Sequence, residues 1–212
     1  MTPEELAARH PRLYHLTLPS NLPTIERHGL LSTAALLDLY GVQGNRRKMI
    51  EGTCRRTTEM LDDPVHGPAT INDQSPMSDA ALRKCLHRGL GVADWLALLN
   101  GRVFFWASKK GLQTLAGAKA NRGLTPIVLE FCTVNLVEAY KSRVELSPLN
   151  SGNTTHDPVR RGKDWFSPLG KYSYVEWSKL RGKKAPDVVR EVTILGGVTD
   201  YKRYLAEPLS GL

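Results

Sequence analysis

The stretch from Leu13 to Leu31 does most to limit what this chain can become. Leu13-Tyr14-His15-Leu16-Thr17 is a short apolar run carrying one imidazole, and it reads as a strand. Ser20 or Asn21 follows as a helix cap, and Gly29, tolerant of a left-handed backbone, ends that helix before Leu30 and Leu31. His15 therefore stands on a strand beside a helix start. A lone histidine in an apolar strand is more often a hydrogen-bonded core residue than a functional one, so the rest of the chain has to decide.

The chain has 212 residues, of which 41% are hydrophobic, enough to bury a sizeable core, and the length suits one α+β domain over residues 1–212. No apolar run approaches the ~20 residues of a membrane span, and the opening Met1-Thr2-Pro3-Glu4-Glu5-Leu6 lacks a signal-peptide layout. The expected location is cytoplasmic, with no membrane partner. Cys54, Cys85 and Cys132 are odd in number and far apart, which supports neither a disulfide frame nor a metal site. A net charge of +8 favours a polyanionic partner, because Lys and Arg facing phosphates release counterions.

Helices are expected over residues 3–9, 32–40, 78–89, 92–100 and 110–120. Strands are expected at 102–108, at 125–132 and within 137–146, and again at 187–198, where Glu191 enters an apolar alternation. A carboxylate entering such a strand needs a partner, since burying it alone is costly. Residues 43–76 carry Arg46, Arg47, Arg55 and Arg56 in a polar, turn-rich setting expected at the surface. The loop from Pro148 to Asn153 offers amide and hydroxyl donors that could meet a diphosphate, although a plain turn explains it as well. Residues 159–184 interleave aromatic and basic side chains, a composition that fits single-stranded DNA or RNA; the competing reading is a surface hairpin with a basic tip.

The tyrosine-His-x-Thr strand, the Asn-Leu-Pro-x-Ile helix and the Gly-Leu-Leu exit resemble the opening of DarT-type ADP-ribosyltransferases. More loosely they resemble the rifampin-modifying transferases and the RNA 2′-phosphotransferases. Val103-Phe104-Phe105 followed by Ser108 is similar to the second element of that superfamily, and the strand from Glu191 to its catalytic strand. The resemblance implies an ADP-ribosyltransferase-like fold, a central mixed or antiparallel split sheet flanked by helices. It also implies NAD as a consumed substrate, and Glu191 as the catalytic carboxylate.

By the same resemblance His15 orients the adenosine-side ribose, with Thr17 and Ser108 also in the NAD site. Phe104 stacks on nicotinamide where the family has Tyr. An arginine among Arg46, Arg47, Arg55 and Arg56, with Arg47 taken as the candidate, binds NAD phosphate. Tyr172, Tyr174, Trp177, Lys179 and Arg181 lie in the segment matching the substrate-recognition loop. The implied activity is ADP-ribosylation of nucleic acid by a toxin or defence effector, for which an antitoxin would be a partner. Protein or small-molecule acceptors, RNA 2′-phosphate removal and a non-catalytic nucleic-acid-binding module are the alternatives.

Overall fold

The computed structural model describes residues 1–74, 77–109, 126–154, 159–181 and 189–206, apart from the side chains of Leu180 and Arg181. The helix expected over 110–120 lies outside the described residues. The molecule is mixed α+β, built on one six-stranded sheet. In chain order the strands of that sheet are β1 (Arg12–Thr17), β5 (Arg102–Trp106), β6 (Ile127–Cys132), β7 (Val144–Ser147), β8 (Ser167–Pro168) and β9 (Glu191–Leu195). They lie side by side as β6-β1-β5-β9-β7-β8, and every pairing is antiparallel. Two short ribbons complete the strands: β2 (Leu30–Leu31) with β10 (Gly197–Val198), and β3 (Glu59–Leu61) with β4 (Ala69–Ile71).

The sheet parts between β1 and β5. β1 is in register with β6 along its whole length, from Arg12↔Cys132 to Thr17↔Ile127, whereas its register with β5 is the single pair Tyr14↔Trp106. A gap in a ladder leaves backbone polar groups that must find other partners. Here it also opens one face of the sheet beside β1.

The helices are α1 (Pro3–Arg9), α2 (Leu22–His28), α3 (Thr33–Leu39), α4 (Gly44–Gly52), α5 (Asp79–Cys85), α6 (Val92–Asn100), α7 (Thr133–Ala139) and α8 (Tyr174–Arg181). None of the described helices is long and apolar enough to cross a membrane. α1 starts in a capping box in which Thr2 and Glu5 satisfy each other's backbone N–H, and Pro3 sits where no N–H is needed. Ser32 caps α3 through Ala35 N at 3.2 Å, as its sequence suggests. Neither Ser20 nor Asn21 caps α2 through a side chain: the amide of Asn21 pairs with both backbone groups of Thr70 at 2.9 and 2.8 Å. A tertiary contact has taken the capping group.

Strand alternation sorts the side chains. Val103 and Phe105 of β5, with Val192 and Ile194 of β9, join Leu13, Phe131, Leu6, Leu136 and Trp177 in the main core. On the opposite face Phe104 packs against a second cluster around Trp95, Trp165 and Phe166. A third cluster, Leu37, Val42, Ile50, Leu61, Ala69 and Ile71, seats the β3–β4 ribbon. The segment expected as a surface loop over 43–76 thus contributes buried residues. The 137–146 region is mostly helix and turn, with its strand confined to Val144–Ser147.

Candidate active site

A cavity of about 380 Å³ opens on the face of the sheet where β1 and β5 part. His15 and Thr17 come to it from β1, Arg102, Phe104 and Trp106 from β5, and Glu191 from β9. Asn150, Ser151 and Gly152 close one side and residues 69–74 with Arg55 another. Of the sequence-predicted residues, His15, Thr17, Phe104 and Glu191 therefore share one cavity.

Glu191 reaches it by register. It lies opposite Trp106 on one side and Ser147 on the other, so its side chain leaves the sheet on the face of Phe104 rather than that of the main core. The residue is 4% exposed. Its Oε2 accepts from Ser151 N at 3.1 Å and from Ser151 Oγ at 2.7 Å. Burial pushes the carboxyl up to about 7, and the Ser151 bonds, which favour the ionised form, oppose that rise. A carboxyl poised near neutrality in a cavity is suited to holding either charge state during a reaction.

His15 Nδ1 lies 2.9 Å from Phe104 O, across the part of the sheet where the ladder is interrupted. The contact assigns the proton to Nδ1 and makes Nε2 an acceptor. Phe104 is half-buried, and its ring meets Phe166 edge-on at 6.1 Å. Ser108 is not among the residues lining the cavity.

Two guanidiniums line the wall. Arg102 is paired with Glu145, its Nε 2.9 Å from Oε2, and lies 4.3 Å over the Phe166 ring. Arg55 is 8% exposed and is held by neutral oxygens: Nη1 donates to Ile50 O at 2.7 Å and Asn100 Oδ1 at 3.1 Å, and Nε to Asn72 O at 3.1 Å. None of these bonds uses Nη2. Burial pulls Arg55 down to about 10, which still leaves it a cation at neutral pH. Arg47, the arginine singled out from the sequence, is elsewhere: it bonds Glu51 on α4 and Asp38 on α3 and does not reach the cavity. Arg46 and Arg56 donate to Met60 O and Met77 O. The i, i+4 geometry of α4 places Glu51 beside Arg47, a pairing visible in the sequence but outweighed there by the basic run.

Among the described residues the aromatic-basic segment turns its aromatic rings inward, Trp165, Phe166 and Trp177 wholly and Tyr172 and Tyr174 in part. Residues 174–181 form helix α8 rather than a hairpin, and Trp177 is 2% exposed in the main core, with no ring face left for a base. Tyr172 packs against it, and Tyr174 lies under Arg9, whose guanidinium carbon is 3.6 Å from the ring centroid. Lys179 is exposed, the Arg181 side chain lies outside the described residues, and none of Tyr172, Tyr174, Trp177 and Lys179 lines the cavity. The segment presents Arg160, Lys163, Lys171 and Lys179 to solvent, together with Asp164, Glu176 and Val175. The loop donors expected to meet a diphosphate instead include Ser151, which holds Glu191.

Residues 11–205 match the model of a family of unknown function, DUF7002. Neither the curated proteins nor the solved structures gave a match.

Proposed function

The chain belongs to the DUF7002 family, and on the geometry of its cavity we propose that it is an NAD-dependent ADP-ribosyltransferase. The observation that carries this reading is the convergence of His15, Phe104 and Glu191, far apart in sequence, on one cavity. We include in it an ADP-ribosyltransferase-like fold, which the parting of the antiparallel sheet between β1 and β5 supports. The volume of about 380 Å³ lies within the ~300–1,000 Å³ usual for small-molecule sites.

In this reading nicotinamide stacks on Phe104, and His15 Nε2 accepts a hydrogen bond from a ribose hydroxyl. Arg55 supplies the charge for the diphosphate in place of Arg47. The bond from ribose C1′ to the nicotinamide nitrogen breaks with its electron pair leaving on nicotinamide, and the sugar passes through an oxocarbenium-like state. Ionised Glu191 stabilises that positive charge and takes the acceptor's proton as the new bond to C1′ forms. Ser151 keeps Oε2 fixed while this happens.

Nucleic acid is the acceptor class supported by the net charge of +8 and by the exposed cations along 160–179. Stacking by Tyr172, Tyr174 and Trp177 forms no part of it. The test is incubation of the protein with NAD labelled in its adenylate, beside Glu191→Gln, with single-stranded DNA, RNA and lysate as acceptors. Label on nucleic acid that Glu191→Gln loses supports the reading. Label on protein or a small molecule keeps the chemistry and changes the acceptor. Release of an RNA 2′-phosphate, or nucleic-acid binding indifferent to NAD and to Glu191→Gln, overturns it.

A further inference from the structure

Glu191 is held by a loop that has its own anchor. Ser151 gives the carboxylate both a backbone and a hydroxyl bond on the same oxygen. The loop that carries Ser151 is gripped from behind by Arg161, whose Nη2 donates to Asn153 O and, at 3.5 Å, to Asn150 O. Arg161 is 3% exposed, and its guanidinium carbon lies 5.2 Å from the Trp165 ring centroid and 5.7 Å from that of Trp95. Its backbone is fixed to the end of α5, Arg161 N donating to Cys85 O and His87 N to Arg161 O, both at 2.8 Å.

This is a costly arrangement for stability alone. Arg161 Nε is buried with no hydrogen-bond partner, and a buried unsatisfied donor costs about 1–3 kcal/mol. An apolar side chain between two indoles would carry no such penalty. What the guanidinium adds is a two-carbonyl grip on the loop beside Glu191.

We infer that Ser151 and Arg161 are positioning residues for Glu191: Arg161 fixes the 150–153 loop, and the loop, through Ser151, fixes Oε2 of the carboxylate, with Ser147 of β7 as a further hydrogen-bonding neighbour. The inference rests on the proposed reaction for its meaning in catalysis, but the clamp is readable without it. The charged groups around Glu191 are Arg190 on its own strand, Arg161 behind the loop, and Arg55, Arg102, His15 and Asp73 in the cavity wall.

The test is a carboxyl titration by ¹³C NMR in protein labelled at the Glu side-chain carboxyl, with Glu191→Gln identifying the resonance and no NAD present. Ser151→Ala removes the hydroxyl bond to the ionised form, so the Glu191 midpoint is expected to rise by about one pH unit. Arg161→Met is expected to raise it similarly. A direct field from Arg161 would also raise it, and the double variant separates the two: acting through the loop, Arg161→Met adds less once Ser151 is Ala, because only the backbone bond is then left to lose. Full additivity, or an unchanged midpoint in Ser151→Ala, overturns the inference. Should Arg161→Met fail to fold, Arg161→Lys takes its place, keeping the charge but not the two-carbonyl grip, and an unchanged Glu191 midpoint in it overturns the role of Arg161. If the midpoints move as expected and the wild-type protein neither binds nor consumes NAD, the clamp stands and the proposed reaction falls.

Discussion

The imidazole of His15 stands in for a strand partner: its Nδ1 lies 2.9 Å from the backbone oxygen of Phe104, beyond the one registered pair that joins β1 to β5. One side chain thus satisfies a carbonyl left by the parted sheet and turns its other nitrogen into an acceptor. His15→Ala removes both. The expected result is NAD affinity weakened about two- to tenfold, the equivalent of one neutral hydrogen bond of ~0.5–1.5 kcal/mol, measured by titration calorimetry. Unchanged affinity would remove the adenosine-side ribose from His15.

Glu191 makes stability depend on pH in an unusual direction. Burial lifts its carboxyl to about 7 from the 4.5 of an exposed glutamate, so between these pH values the folded state binds more protons than the unfolded one. Stability is then fully present below pH 4.5 and is lost as pH rises through about 7, to the extent of about 3 kcal/mol from this group. Glu191→Gln cannot ionise and should be the more stable protein at pH 8, its advantage fading toward pH 5, when denaturation midpoints are compared across pH. Transfer, which needs the ionised carboxylate, should rise through the same interval in the wild-type protein and be lost by about a thousandfold in the variant.

Two arginines near each other in sequence make opposite predictions. Arg55→Gln takes the cation from the cavity wall and also leaves Ile50 O and Asn72 O without their donor, so both NAD affinity and the thermal midpoint should fall. Arg47→Gln breaks half-exposed pairs with Glu51 and Asp38, worth up to ~1 kcal/mol, and should leave NAD affinity unchanged. Nitrocellulose retention of labelled NAD by the two variants tells them apart. The reverse result would restore Arg47 to the site.

The contrast shows where the sequence was legible. The strands bearing His15, Phe104 and Glu191 could be read locally, because alternation and flanking glycines need no knowledge of the rest of the chain. So could the Ser32 cap and the helix stop at Gly29. Arg47 and Arg55 could not be separated, because what distinguishes them is burial under Asn72 and Asn100, a property of distant segments. The burial of Trp177 is hidden from the sequence for a similar reason: basic neighbours suggest a surface, but helix α8 exposes Lys179 and buries Trp177. Ser151 lies in a loop whose donors were visible, while their carboxylate partner is 40 residues away in the chain.

Gly29 tests the seam that closes the opening motif. Its φ of +82° is left-handed, and an added Cβ would lie 2.4 Å from Thr199 Cα and 2.6 Å from Val198 O, both backbone atoms. Gly29→Ala should destabilise the fold by at least ~1–2 kcal/mol from the backbone conformation alone, more with the clash, and lower the thermal midpoint by several degrees. An unchanged midpoint would mean that β2 and β10 separate easily.

That seam also governs when the site can exist. β2 follows the His15 motif directly, and its partner β10 follows the Glu191 strand, so the earliest and latest parts of the site are stitched together by the same ribbon. Contacts of such long sequence separation form late and slowly. On the ribosome, a chain that has not yet released Val198 holds its histidine on a strand with no carboxylate beside it. The two walls of the cavity therefore meet only after the long stretch of chain between β2 and β10 has been made.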